Sequence, residues 1–253
     1  MTMDEATSGV ENVRKSFGRQ TVLDGVSFDL VPKEVTCVPG RSGTGKSVLL
    51  RLLIGLERAD AGAVRLVGQD ITNGEQPSLD KARKKVGFLF QQGALYDSMT
   101  IEENVSFPLR RHLGLAGGEL RDRVQKLLSS VGMENASAKL PSQISGGMKK
   151  RVGLARALAL EPSLVLFDEP TAGLDPTAAA EIAQLVIDLR DQRGVTCLVV
   201  THDLSTARKI SNRLITLDKG RVIFDGIMDE FEKSSDPFIT QYLKDAEIGR
   251  AHV

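Results

Sequence analysis

The chain reads as an α/β domain with a mostly parallel core sheet and a helical insert. Three observations predict this. Val35-Thr-Cys-Val38, Leu164-Val-Leu-Phe167 and Leu198-Val-Val200 are short, almost wholly apolar runs, the pattern of strands buried on both faces. A helical stretch from Thr177 to Gln192 separates the last two, and such a β-α-β unit places its strands side by side and parallel. Between about Tyr96 and Leu160 the strand signal gives way to helical periodicity.

Taken in order, residues Val10 to Val38 alternate short β-branched runs with turn residues. Val26-Ser-Phe-Asp-Leu-Val31 alternates apolar and polar at period two, as a half-buried strand does. After Val38 comes a glycine-rich turn, Pro39 to Gly45. Ser47-Val-Leu-Leu-Arg-Leu-Leu-Ile-Gly-Leu56 then predicts a mostly buried helix ending near Gly55. Val64-Arg-Leu-Val-Gly-Gln-Asp70 and Val86-Gly-Phe-Leu-Phe90 are further strands. In the insert, Leu120 to Val131 places Leu120, Val124, Leu127, Leu128 and Val131 on one helix face. After Asp236-Pro237, the segment Phe238 to Leu243 has the look of a short docking helix, and no internal repeat or low-complexity stretch is evident.

Composition narrows the function classes. A chain of 253 residues allows one large α/β domain or two small ones. Lys plus Arg (33) equals Asp plus Glu (33), so no global basic field points to nucleic acid; absent Trp and only 4% aromatics also argue against stacking on single strands. The polar, acidic first residues are not a signal peptide, and no apolar run reaches the ~20 residues of a membrane helix. Cys37 and Cys197 lie in apolar, strand-like runs and read as buried reduced thiols. The expectation is a cytoplasmic protein whose contact with any membrane goes through a partner. The basic clusters Lys81-Ala-Arg-Lys-Lys85 and Lys149-Lys-Arg151 read as solvated faces.

Four segments carry chemistry. Gly40-Arg-Ser-Gly-Thr-Gly-Lys46-Ser47 is a complete G-x4-G-K-[ST] between a strand and a helix. Its glycines let backbone N–H groups turn inward around phosphate oxygens, and the helix N-terminus behind adds positive potential. Lys46 is positioned to reach β- and γ-phosphates and the Ser47 hydroxyl to ligate Mg2+; Gly40, Ser42, Gly43, Gly45 and Val48 complete the cradle. Leu164 to Glu169 is an apolar strand ending in two carboxylates: Asp168 to hold Mg2+ through water, Glu169 to accept a proton from attacking water. His202 follows Leu198-Val-Val-Thr201 at the same sheet edge, where a neutral imidazole could bond a γ-phosphate or fix the water. His112 and His252 have no such setting. Ser145-Gly146-Gly147 opens the helix Met148 to Leu160; this second anion site suggests a phosphate offered by another copy, against the plainer reading of an N-cap serine with flexible glycines.

The phosphate loop, Gln91 after Phe90, Ile144-Ser-Gly-Gly-Met148, Leu164 to Glu169, Ala172-Gly-Leu-Asp175 and His202 occur in one order. Together they resemble the ATP-hydrolysing subunits of ABC transporters from about Val10 to Gly226. The resemblance implies the P-loop ABC ATPase fold: a mostly parallel core sheet, an antiparallel β subdomain and a helical insert. It implies one domain, 1–253, with a core in 1–93 and 161–235, a helical subdomain in 94–160 carrying the signature, and a tail in 236–253. Phe17 is then similar to the aromatic that stacks on adenine. Gln91, with Gln92 beside it as the alternative, resembles the residue linking γ-phosphate and Mg2+ to the membrane partner, and Asp175 the residue communicating across a dimer. The family works as a head-to-tail dimer that sandwiches two ATP molecules, so Ser145, Gly146 and Gly147 complete the partner copy's site. A groove near Gln91 to Thr100 would pass the motion to a multi-span permease at the cytoplasmic face of the inner membrane. The chain departs from the usual pattern at Ile144 (usually Leu), Met148 (usually Gln) and Arg41 (commonly Pro).

Ser145-Gly-Gly-Met-Lys-Lys-Arg151, Gly43-Thr-Gly-Lys-Ser-Val-Leu-Leu50, Phe90 to Thr100 and Glu103-Asn-Val-Ser-Phe-Pro-Leu109 together resemble one branch, the ATPases of MCE-type, Mla-like phospholipid transporters. That branch implies an MCE-domain lipid-binding protein and a small regulatory subunit as further partners. The expected function is the ATPase of a transporter for phospholipid or other hydrophobic cargo. The alternatives are a transporter of a polar solute such as an amino acid, or a soluble ABC ATPase acting on DNA or ribosomes. The last usually carries two cassettes or a long coiled-coil insert, and neither is present.

Overall fold

The computed structural model describes residues 8–74 and 76–250, with side chains through 246. In chain order the elements are β1 (Gly9–Phe17), β2 (Gln20–Asp29), β3 (Val35–Pro39), α1 (Lys46–Leu53), β4 (Ala61–Leu66), β5 (Gln69–Asp70), α2 (Gln76–Arg83) and β6 (Val86–Leu89). Then follow α3 (Ile101–Leu113), α4 (Gly117–Ser129), two 3-10 turns at Glu134–Ala136 and Pro141–Gln143, α5 (Gly146–Ala157), β7 (Leu164–Asp168) and α6 (Pro176–Arg193). The chain closes with β8 (Thr196–Thr201), α7 (Leu204–Ile210), β9 (Arg213–Asp218), β10 (Arg221–Gly226), α8 (Met228–Glu232) and α9 (Pro237–Arg250).

The strands form two sheets. An antiparallel one has the order β2-β1-β4-β5, and a six-stranded one has the order β10-β9-β3-β8-β7-β6. Within the second, β9, β3, β8, β7 and β6 run parallel, and β10 returns antiparallel as a hairpin with β9. The β7-α6-β8 unit makes the parallel neighbours its sequence predicts, with Leu164 opposite Thr196 and Asp168 opposite Val200.

The apolar runs of β7 and β8 feed two cores, because alternate residues of a strand point to opposite faces. Leu164, Leu166, Leu198 and Val200 pack with Leu50 and Leu53 of α1 and with Val13, Leu23 and Val64 of the antiparallel sheet. Val165, Phe167, Cys197 and Val199 pack on the other side with Val152 and Leu154 of α5, Leu128 of α4 and Val186 of α6. Each such large side chain removed from water contributes about 1.5–3 kcal/mol, so both faces of the sheet are pinned. Cys37 and Cys197 are free and buried in this second core, and burial raises both thiol pKa values, that of Cys197 to about 12.

Local departures from the sequence reading have local causes. The strand expected over Val64 to Asp70 is broken at Val67 and Gly68, both left-handed at φ 46° and 73°, and β5 folds back on β4. The helix expected to reach Val131 stops at Ser129, and Val131 is buried in the turn before Gly132 (φ 67°). The helix after Asp236 runs 14 residues, well past the short segment Phe238 to Leu243 expected, and it docks on its own chain through Ile239 and Tyr242. Lys149-Lys-Arg151 is not a solvated face. Lys150 is only 4% exposed, and Arg151 donates to Val131 O and pairs with Glu181. In the other cluster Lys81, Lys84 and Lys85 are exposed, while Arg83 caps α1 through Ile54 O and Gly55 O. Among the described residues, no helix is long and apolar enough to cross a membrane.

Candidate active site

Parallel pairing delivers four strand ends to one edge. Pro39 lies opposite Thr201, Asp168 opposite Val200 and Leu89 opposite Phe167, so the residues that follow each strand emerge together. Those residues are the Gly40–Gly45 loop, Glu169, His202 and Gln91. Open strand ends of this kind are where α/β sheets bind ligands.

A cavity of about 380 Å3 sits at this edge, lined by Ser42, Gly43, Gly45, Lys46, Ser47 and Val48 together with Val22, Gln91, Glu169 and His202. Gln92 is not among its lining residues, so of the two amides Gln91 faces the cradle. Gly45 caps α1 at φ 95°, and a Cβ there would lie 3.0 Å from Leu23 Cδ2 and 3.1 Å from Val22 O. Only glycine fits both the backbone angle and the space. Lys46 Nζ donates to Gly40 O and Arg41 O, each at 2.7 Å. Burial pushes this ammonium below its ordinary value, and the charges of Glu169 and Asp168 oppose the shift.

Ser47 Oγ donates to Asp168 Oδ1 at 3.1 Å across the cradle. Burial raises the Asp168 carboxyl and the adjacent Glu169 charge adds to it, while the Ser47 hydroxyl opposes. A divalent cation suits this pairing, since it relieves two crowded carboxylates and accepts a hydroxyl oxygen as ligand. Among the described residues, no three His, Cys, Asp or Glu converge to hold a metal alone. A cation here therefore needs oxygen ligands from phosphate and water, as Mg2+ typically takes them.

Glu169 is the most constrained residue of the edge. Its φ of 49° is uncommon for a residue with a side chain. Its N–H donates to Val200 O at 2.9 Å, and its Oε2 accepts from His202 N at 3.1 Å and lies 2.7 Å from His202 Nδ1. An ionised carboxylate only accepts, so Nδ1 carries the proton in this pair. A neutral His202 then presents Nε2 as an acceptor, and it donates to a phosphate only when doubly protonated. Behind it, the buried Tyr242 hydroxyl donates to His202 O at 2.8 Å, so α9 backs this sheet edge. The same helix meets the phosphate loop: Asp245 pairs with Arg41, whose guanidinium carbon lies 5.8 Å from the Phe238 ring centroid.

The remaining candidates lie outside this cavity. Phe17 is exposed at the end of β1, with Lys15 Nζ 5.1 Å from its ring centroid. Ser145 caps α5 by accepting from Met148 N, and Gly146 is exposed beside it. Asp175 caps α6 through Thr177 N and Ala178 N. These two caps sit together, for a Cβ on Gly147 would lie 3.3 Å from Ala178 Cβ. Sequence reasoning missed Lys150, whose Nζ donates to Glu169 O at 3.1 Å and Ala172 O at 2.7 Å. Burial pushes it down to about 8, with the Glu169 charge opposing. It also missed Tyr242, whose pKa burial raises.

Comparisons with known proteins place the chain among relatives of one family. The family model described as ABC transporter matches residues 23–172. The probable ribonucleotide transport ATP-binding protein mkl of Mycobacterium leprae is 40% identical over 240 residues, 95% of this chain and 69% of that protein. The methionine import ATP-binding protein MetN of Rhizobium etli is 40% identical over 215 residues, 85% of this chain and 59% of MetN. Among solved structures, a dimeric post-hydrolysis ATP-binding cassette bound to ADP and Pi matches with TM-score 0.79 and 34% identity, covering 86% of this chain and 97% of the cassette. The structure of cbiO1 from Clostridium perfringens, part of the ABC transporter complex cbiONQ, matches with TM-score 0.83 and 28% identity over 98% of this chain and 99% of cbiO1.

Proposed function

Since the chain belongs to the ABC transporter family and is an ATPase that uses ATP and Mg2+, we propose that it powers a membrane transporter for phospholipid or another hydrophobic cargo, working as a head-to-tail dimer under a multi-span permease. The observation that carries the hydrolytic part is the convergence of Lys46, Ser47, Asp168, Glu169 and His202 on one sheet edge.

In this reading the backbone N–H groups from Gly43 to Val48 hold the phosphates, and Lys46 leaves the carbonyls of Gly40 and Arg41 for β- and γ-oxygens. Phe17 stacks on adenine. Ser47, Asp168 and Gln91 would hold Mg2+, which would supply neutralisation of the phosphate charge. Glu169 is the base. Both His202 contacts use Oε2, which leaves Oε1 to accept the proton of the attacking water. The water oxygen bonds the γ-phosphorus, the bond to the bridging oxygen breaks, and ADP and phosphate leave. Ser145, Gly146 and Gly147 complete the site of the other copy, and Asp175, beside them, carries the message between copies. The helical subdomain is residues 94–160, set in a core of 1–93 and 161–235.

An exposed aromatic patch within and after the Gln91–Thr100 segment supports a permease surface there. Tyr96 and Phe107 are both exposed with ring centroids 5.4 Å apart, and Arg156 lies 5.9 Å from the Tyr96 ring. Exposed aromatics with an arginine are the usual anchors of an interface. The membrane face concerned is the cytoplasmic one. The Ser145-Gly-Gly-Met-Lys-Lys-Arg151 segment favours the MCE-type lipid branch, with an MCE-domain protein and a small regulatory subunit as partners. The second reading is a polar-solute transporter, favoured by relatives named for ribonucleotide transport and methionine import. Purifying the tagged chain from its native membranes in mild detergent separates them. A permease together with an MCE-domain protein supports lipid transport. A permease with a solute-binding protein supports the second reading, and no membrane partner overturns both.

A further inference from the structure

We propose that Lys150 is a positioning residue for hydrolysis: from the helix behind the Ser145-Gly146-Gly147 turn, its ammonium clamps the backbone of the loop that carries Glu169. The inference rests on the reading of Glu169 as the base.

The side chain is 4% exposed and donates to two backbone carbonyls, those of Glu169 and Ala172. A buried ammonium is costly, and an apolar side chain would fill the space more cheaply. Among the described residues Lys150 makes no ion pair, so its donors serve those two carbonyls.

Those carbonyls bracket the turn that needs holding. Glu169 sits at φ 49°, and a strained conformation persists only where surrounding contacts over-determine it. Val200 O fixes its N–H and His202 fixes its carboxylate. Lys150 fixes its carbonyl, and by holding Ala172 O it also ties down the chain leading to Asp175. The clamp comes from α5, in the helical layer, whereas its target belongs to the sheet edge. A movement of α5 relative to β7 therefore changes where the Glu169 carboxylate stands.

The test compares K150M, which keeps the length but has no donors, with K150R, which keeps charge and donors. Turnover, KM, ATP affinity and the His202 ring resonance are measured in the full chain, and urea midpoints report folding. K150M is expected to lose about tenfold or more in kcat, with KM and ATP affinity within about twofold, the signature of a group that acts on the reacting geometry alone. K150R is expected to restore kcat to within about threefold, and the His202 resonance should move in K150M and return in K150R. If K150M does not fold, K150Q replaces it. Turnover near the wild-type level in K150M while E169Q is inactive overturns the clamp. So does a folded K150R as inactive as K150M. An active E169Q overturns the underlying reading of the base instead.

Discussion

Replacing Glu169 by glutamine removes the proposed proton acceptor while keeping its shape. The structure indicates how the amide settles. Oε2 faces two donors, His202 N and Nδ1, so the amide oxygen takes that place and the NH2 takes the place of Oε1. A group that accepted a proton from water then offers one instead. General-base catalysis contributes about 10²–10⁴ in rate, so E169Q should lose that factor in kcat, or about 3–5 kcal/mol of transition-state stabilisation. In the proposed reading the phosphate contacts come from Lys46 and the backbone from Gly43 to Val48, not from Glu169, so ATP affinity should stay within about twofold. Phosphate release with saturating Mg-ATP measures the first quantity, and equilibrium ATP binding the second. Turnover within about tenfold of wild type would sink Glu169 as the base, and lost ATP binding would mean that it belongs to the cradle.

Three further outcomes are expected. Ser145→Arg in every copy should abolish turnover by filling the partner's site while lowering the free energy of urea unfolding by no more than about 1 kcal/mol, since only the single cap bond to Met148 N is lost; normal hydrolysis would refute the shared site. Tyr242→Phe should cost about 1 kcal/mol in urea unfolding through the lost bond to His202 O, and should slow turnover without weakening ATP binding; unchanged values of both stability and kcat would show that α9 does not back the site. The thiol of Cys197 has a folded pKa raised from 9.0 to about 12, so its contribution is complete below pH 9 and is lost as pH rises towards 12, where the unfolded chain ionises first. Stability should therefore fall between pH 9 and 11, and Cys197→Ala should flatten that fall by up to about 1.4 kcal/mol per pH unit; equal slopes would contradict the burial argument.

The parts legible in the sequence were those with local physical signatures. Val35–Val38, Leu164–Phe167 and Leu198–Val200 announce themselves because a strand buried on both faces needs apolar residues at every position, and the glycine pattern before Lys46 has few structural uses other than wrapping an anion. Ser145 before two glycines likewise carries the chemistry of a helix start. What remained hidden depends on distant partners. Lys150 sits in a basic run that looks solvated, and only the carbonyls of Glu169 and Ala172, brought in by the sheet edge, explain its burial. Tyr242 lies 40 residues beyond His202, and its role follows from α9 folding back, which no periodicity encodes. The left-handed backbone of Glu169 is imposed by Val200, His202 and Lys150 rather than by the local Asp-Glu-Pro sequence. The β9–β10 hairpin escaped notice because Arg213–Asp218 and Arg221–Gly226 hold only short apolar stretches without strict period-two alternation, although Lys219-Gly220 between them, both at positive φ, form the turn.

The central claim is that hydrolysis needs the cradle of one copy and the Ser145–Gly147 turn of another, and a mixing experiment tests it most directly. Chains carrying S145R and chains carrying E169Q are each inactive when pure. In a mixed dimer one site combines an intact Glu169 with an intact Ser145, and the other combines both lesions. Equal mixing should therefore restore up to about a quarter of wild-type turnover, since about half the dimers are mixed and each holds one working site. A mixture as inactive as its components would contradict a site shared between two copies.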